Sequence, residues 1–145
     1  MLNACYFFQR KRGQAMQVAA QSTKGSTAMA ALLQVGASDF EEIKRRVAAH
    51  FDETRVCDLA NDNNQNQIVV SGHEDMVDKA IEVAKKEFGV RRAVKLNVSA
   101  PFHSQLMKPA EHVVRTALES IQLKSPSVPW ISNVTAQPVS ALNLM

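Results

Sequence analysis

Two amphipathic segments, each held between short apolar runs, constrain this chain more than any other feature. In the first, residues 38–48, Phe40, Ile43 and Val47 recur at helical spacing while Glu42, Lys44, Arg45 and Arg46 face outward. In the second, residues 74–88, Val77, Ile81, Ala84 and Phe88 share one face and Gly89 is the stop. Around them lie residues 28–35, 56–59, 67–71 and 93–98, which are short and bounded by turn residues. These read as strands, although Ala and Met in the first are indifferent strand formers. The resulting order, β-α-β-β-α-β, is a split βαβ, ferredoxin-like unit. Each helix has one apolar face, so both are expected to cover one side of a four-stranded sheet. Ser38 with Glu41 reads as a capping box at the first helix. The Asn-rich residues 61–66 read as a turn, and Gly72 as the break after the third strand.

The remaining parts do not belong to that unit. Residues 1–20 read as a helix that starts abruptly with aromatic side chains. A second helical stripe runs through Leu106, Ala110, Val113, Val114, Ala117, Leu118 and Ile121, and residues 128–132 are strand-like. These pieces suit a second layer system.

At 145 residues the chain is long enough for one domain with a real core. Apolar residues make up 46% and charged residues 21%, which argues for a globular rather than a disordered chain. A net charge of +3 does not call for nucleic acid, and Arg10-Lys11-Arg12 is short enough to be a solvated helix face. Cys5 and Cys57 are too few and too far apart for a disulfide framework or a zinc site. The opening eight residues are too short and polar-flanked for a secretory signal. No stretch approaches the roughly 20 apolar residues needed to cross a bilayer. The expectation is a soluble cytoplasmic protein without membrane or nucleic-acid partners.

Among the four histidines, His103 has the most suggestive setting. A β-type run, residues 93–98, leads into it and a helical pattern leaves it; Pro101 biases Ala100 towards extended backbone. Imidazole, with an unperturbed pKa of roughly 6.5, takes and returns a proton near neutrality. Spacing alone favours the plainer alternative, a histidine at a helix start making only a backbone hydrogen bond. His50, His73 and His112 are weaker candidates, at a helix end, a turn and a helix interior.

The stretch Val98-Ser99-Ala100-Pro101-Phe102-His103-Ser104-Gln105-Leu106-Met107-Lys108-Pro109-Ala110 resembles the histidine segment of malonyl-CoA:acyl carrier protein transacylases. Four further stretches agree in order and spacing: Arg12-Gly13-Gln14-Ala15-Met16-Gln17, Ser26-Thr27-Ala28-Met29-Ala30-Ala31, Asn61-Asp62-Asn63 with Gln67-Ile68-Val69-Val70-Ser71-Gly72, and Ser132-Asn133-Val134-Thr135-Ala136. The resemblance covers residues 12–139. It implies an α/β protein in which a small ferredoxin-like subdomain, residues 28–98, is inserted in a hydrolase-like acyltransferase domain to which residues 1–27 and 99–145 belong. It implies acyl carrier protein S-malonyltransferase activity in fatty acid biosynthesis. Malonyl would move from coenzyme A to a serine ester, then to the phosphopantetheine thiol of acyl carrier protein, without metal or redox cofactor.

The same resemblance implies residue roles. His103 would be the general base, a role typically worth about 10²–10⁴-fold in rate. Arg12 would grip the malonyl carboxylate through parallel hydrogen bonds that Lys cannot match. Phe102 would narrow the space beside the malonyl α-carbon, a one-methyl discrimination worth about 1–3 kcal/mol; filling ordinary core is nearly as good a reading. Asn61 and Asn63 would line the cleft between subdomains, with an ordinary turn role equally open. No Gly-x-Ser-x-Gly nucleophile elbow occurs, so the resemblance places the serine upstream and makes this chain an incomplete, catalytically inert central portion. Two alternatives stand beside it. One is an acyltransferase of polyketide synthesis. The other is a ferredoxin-like module binding RNA or a small ligand, although residues 68–70 and 93–96 offer no aromatic platform for bases.

Overall fold

A computed structural model describes residues 2–121, 127–132 and 135–139. Strand β1 (Thr27–Leu33) runs between two antiparallel neighbours, β3 (Gln67–His73) and β4 (Arg92–Lys95). Strand β2 (Cys57–Asn64) pairs antiparallel with the outer side of β3, giving the order β2-β3-β1-β4. Helices α2 (Ala37–Ala48) and α3 (Glu74–Glu87) connect the strands and pack on one face of the sheet. The period-two alternation of strand side chains divides the two faces. Ala30, Leu32, Ile68 and Val70 point into the core with Phe40, Ile43, Val47 and Val77. Met29, Ala31 and Val69 point to the other face, where Ala60, Leu96 and Phe102 join them. Phe40, Leu32 and Ile43 are fully buried, each contributing about 1.5–3 kcal/mol of transfer free energy.

Helix α1 (Leu2–Ser22) precedes the sheet, and α4 (Lys108–Glu119) follows a 3-10 turn, Gln105–Met107. The two meet at Ala15, Ala19 and Ala110, small side chains that let the backbones approach closely. Strands β5 (Trp130–Ile131) and β6 (Pro138–Val139) form a separate two-stranded ladder. Residues 140–145, and part of the Ser132–Ala136 motif, lie outside the described residues. Among the described residues no helix is long and apolar enough to cross a membrane.

Three local expectations are corrected. Helix α2 begins one residue earlier than Ser38, so its cap is Gly36, whose N–H donates to Asp39 Oδ2 at 3.3 Å. The segment read as an Asn-rich turn is mostly strand: β2 continues to Asn64, with register shifts between Leu59 and Asn61 and between Asp62 and Asn64. Ladder irregularities of this kind let a strand accommodate residues of poor β-propensity. Only Gln65 and Asn66 turn, and the Asn66 N–H donates to Asn64 Oδ1 at 2.8 Å. Gly72 does not break β3; it lies within it, because a Cβ there would stand 2.0 Å from the Val56 carbonyl oxygen. At the end of α3 the expected stop is seen, with Gly89 at φ +69° and the Val90 N–H donating to Ala84 O at 3.2 Å.

Candidate active site

Helical periodicity sets the first wall. Ala15 and Ala19 turn towards α4, and Arg12 and Met16, also one turn apart, fall on an adjoining face. On the facing helix Ala110 closes the seam, with Glu111 and Val114 beside it and Met107 contributed by the preceding 3-10 turn. Between these helices and the second face of the sheet opens a cleft of about 710 Å³. Arg12 and Met16 line it from α1, Met29 from β1 and Asn61 from β2. Phe102 and His103 line it from the loop between β4 and the 3-10 turn. Four residues singled out in the sequence therefore share one cavity. Asn63 does not: it falls at the second irregularity of β2, is exposed, and is not among the lining residues.

His103 adopts φ +59°, the left-handed region that non-glycine residues seldom occupy. Such a conformation costs on the order of 1–3 kcal/mol and persists only when its surroundings hold it. Both sides of the turn are fixed. Ahead of it Pro101 is fully buried and the Phe102 N–H donates to Ala100 O at 2.9 Å. Behind it the buried Ser104 hydroxyl donates to Pro101 O at 2.7 Å, and the Gln105 N–H donates to Asp58 Oδ2 at 2.8 Å. The imidazole itself is exposed at the cleft, and among the described residues no hydrogen bond engages it. It is not a histidine spent on capping a helix.

The electrostatics leave the guanidinium on the cleft wall available. Among the described residues Arg12 forms no ion pair, and the nearby acid on the cleft wall, Glu111, pairs with Arg115 at 3.1 Å. Guanidinium, imidazole, thioether and phenyl groups thus converge on one open cavity. That combination suits a small anion with an apolar portion. Phe102 has two surroundings at once, resting on the Met29, Ala31 and Val69 cluster while lining the cleft.

Other titratable groups have structural settings. His73 is buried at the start of α3, where its Nδ1 accepts the Val56 N–H at 2.9 Å. Burial, reinforced by the adjacent Asp58, pushes the Cys57 thiol up to about 12, which removes it as a nucleophile near neutrality. Among the described residues no group of three or more His, Cys, Asp or Glu is placed to hold a metal ion. The sequence reading missed Met16, Met29, Met107 and Asp58. The first three belong to ordinary apolar stripes, while Asp58, an acid set inside the apolar run of a strand, was a legible signal.

Comparison with known proteins identifies relatives of this chain. Residues 11–145 match the family described as acyl transferase domain. The malonyl CoA-acyl carrier protein transacylase of Bacillus subtilis is 42% identical over 127 residues, covering 88% of this chain and 38% of that protein. The crystal structure of acyl-carrier-protein-S-malonyltransferase from Bartonella henselae aligns with a TM-score of 0.81 and 42% identity, covering 97% of this chain and 43% of that one. A type II polyketide synthase acyl-carrier protein in complex with its malonyl-transacylase aligns at 0.76 with 29% identity, over 90% of this chain and 40% of the other. The chain spans about 40% of the length of the relatives it matches. With a family match extending over residues 11–145, the chain belongs to the acyl transferase domain family.

Proposed function

We propose that these residues form the acid-recognising and proton-moving part of an acyl carrier protein S-malonyltransferase of fatty acid biosynthesis. Arg12 grips the free carboxylate of malonate. His103 takes a proton from the attacking hydroxyl and returns one to the departing thiol. Phe102 limits the space beside the α-carbon, and Asn61 supplies a polar wall. Asn63, outside the cleft, takes no part. No Gly-x-Ser-x-Gly occurs in the 145 residues, so within this reading the acyl-bearing serine comes from outside them. The partners are a coenzyme A thioester and acyl carrier protein, the location is cytoplasmic, and no metal or redox cofactor takes part. The β-α-β-β-α-β order with strands arranged β2-β3-β1-β4 supports a ferredoxin-like subdomain over residues 28–98. Residues 1–27 and 99–145 are then parts of the larger hydrolase-like subdomain.

The observation that carries this reading is the shared cleft of Arg12 and His103. Charge-assisted bidentate recognition is worth about 1.5–3 kcal/mol, or roughly 10–100-fold in affinity. Titration of the chain with malonyl-CoA and acetyl-CoA should therefore show a preference of that size for malonyl-CoA, lost in Arg12→Ala. Equal affinities unaffected by the substitution would overturn the reading. Incubation with malonyl-CoA and holo-carrier should give no turnover; turnover abolished by His103→Asn would place the nucleophile within these residues.

A further inference from the structure

Asp58 is an acid in an edge strand with only 9% of its surface exposed. A carboxylate in such a place is costly unless donors meet it. Here they converge from two directions. Oδ2 accepts the Gln105 backbone N–H at 2.8 Å, while Oδ1 accepts Lys44 Nζ at 3.1 Å and lies 3.5 Å from Gln105 Nε2. Lys44 belongs to α2, on the far face of the sheet from the cleft, so the carboxylate links α2, β2 and the loop. The Ser71 hydroxyl, buried directly across the ladder from Asp58, has no hydrogen-bond partner among the described residues and takes no part.

We propose that Asp58 is a positioning residue: by holding the Gln105 amide it keeps His103, two residues earlier, in its left-handed conformation at the mouth of the cleft. The left-handed residue has a cost that the loop must offset. Ser104 Oγ to Pro101 O closes the turn on itself, but among the described residues only the bonding to Asp58 ties its trailing side to the sheet. Without that tether the turn relaxes towards ordinary backbone angles and the imidazole leaves the cleft. The consequence for acyl transfer rests on the function proposed above; the tether does not, and it is read without substrate.

The test uses the 145-residue chain and nuclear magnetic resonance. In the wild type the Gln105 amide should exchange at least roughly tenfold more slowly than an unbonded amide, and the His103 Cα shift should carry its left-handed signature. Asp58→Ala should abolish both while β1 and β3 amides stay protected. Asp58→Asn, whose amide oxygen still accepts, should retain most of both. Gln105→Pro is an independent probe, because it removes the donor and leaves Asp58 and Lys44 in place. Proline is tolerated at the first position of a helical turn, and Ser104, at φ −110° and ψ 165°, already has the extended backbone that proline requires before it. It should erase the His103 signature as Asp58→Ala does, and it decides the matter if Asp58→Ala does not fold. A His103 signature that survives Gln105→Pro overturns the proposal, whatever the affinity for malonyl-CoA.

Discussion

The core beneath α2 and α3 is filled by Phe40, Leu32, Ile43, Ile68, Val47, Val70 and Val77, all fully buried, whereas the seam between α1 and α4 is closed by Ala15, Ala19 and Ala110. Bulky side chains from both strands and helices interlock in the first. In the second, methyl groups bring two backbones together and remove little surface from water. Helix α1 also leaves Tyr6 70%, Phe7 50% and Val18 60% exposed. The candidate site lies where these two constructions meet: its floor belongs to the sheet, its walls to the thin seam. Under the function proposed above, a well-packed floor with lightly held walls would let the cleft admit and release an acyl group.

The largest effect should come from the strong side. Phe40→Ala is expected to cost about 3–5 kcal/mol in urea denaturation, against about 1 kcal/mol for Ala19→Gly, the helix-propensity difference. Equal losses would erase the distinction between the two regions. Hydrogen exchange reads the same contrast without substitution: β1 and β3 amides should be protected most and α1 amides far less. Strongest protection in α1 would invert the ordering.

Cysteine labelling gives a finer measure. Cys5, exposed on α1, should react readily with a thiol reagent at neutral pH, whereas Cys57, buried and shifted to about 12, should react only on unfolding. Fast native labelling of Cys57 would mean that β2 opens easily at the sheet edge.

The smallest effect is electrostatic. Arg45 and Arg46 hold Glu42 down to about 2, and Lys86 and Lys79 do the same for Glu82. Both carboxyls titrate lower folded than unfolded, so their contribution is present above about 4.5 and fades as pH falls towards 2. Both carboxyls lie at the surface, open to water, so the fade should be slight and should shrink further in salt. Melting temperatures between pH 5 and 2.5, at low and high salt, check this. A steep salt-independent drop would locate acid sensitivity elsewhere.

The helices were legible because their apolar stripes are regular: Phe40, Ile43 and Val47 in α2 and Val77 and Ala84 in α3 are buried as their spacing requires, while Ile81 and Phe88 are partly buried against the same core. Strand β2 was not. Asn61, Asp62, Asn63 and Asn64 carry turn chemistry locally, and pairing with β3 overrides it through two irregularities that no local pattern announces. Gly72 misled for a related reason, since its demand comes from the Val56 carbonyl on another strand. At the site, Arg12 stood out from Arg10 and Lys11 by family resemblance, not by charge. The helix then places it, and not its neighbours, on the cleft wall. Asp58 was visible as an acid inside an apolar run, but its role was not, because its partner lies 47 positions away, at the amide of Gln105.

The left-handed backbone at His103 bears on how its side chain should be deleted. Alanine and β-branched residues disfavour φ +59°, so replacing imidazole with them removes a functional group and invites the turn to rearrange. Asparagine and glycine settle there more readily. They separate the missing chemistry from the altered shape, and the gap between an alanine and an asparagine variant measures how much of the histidine's worth is conformation.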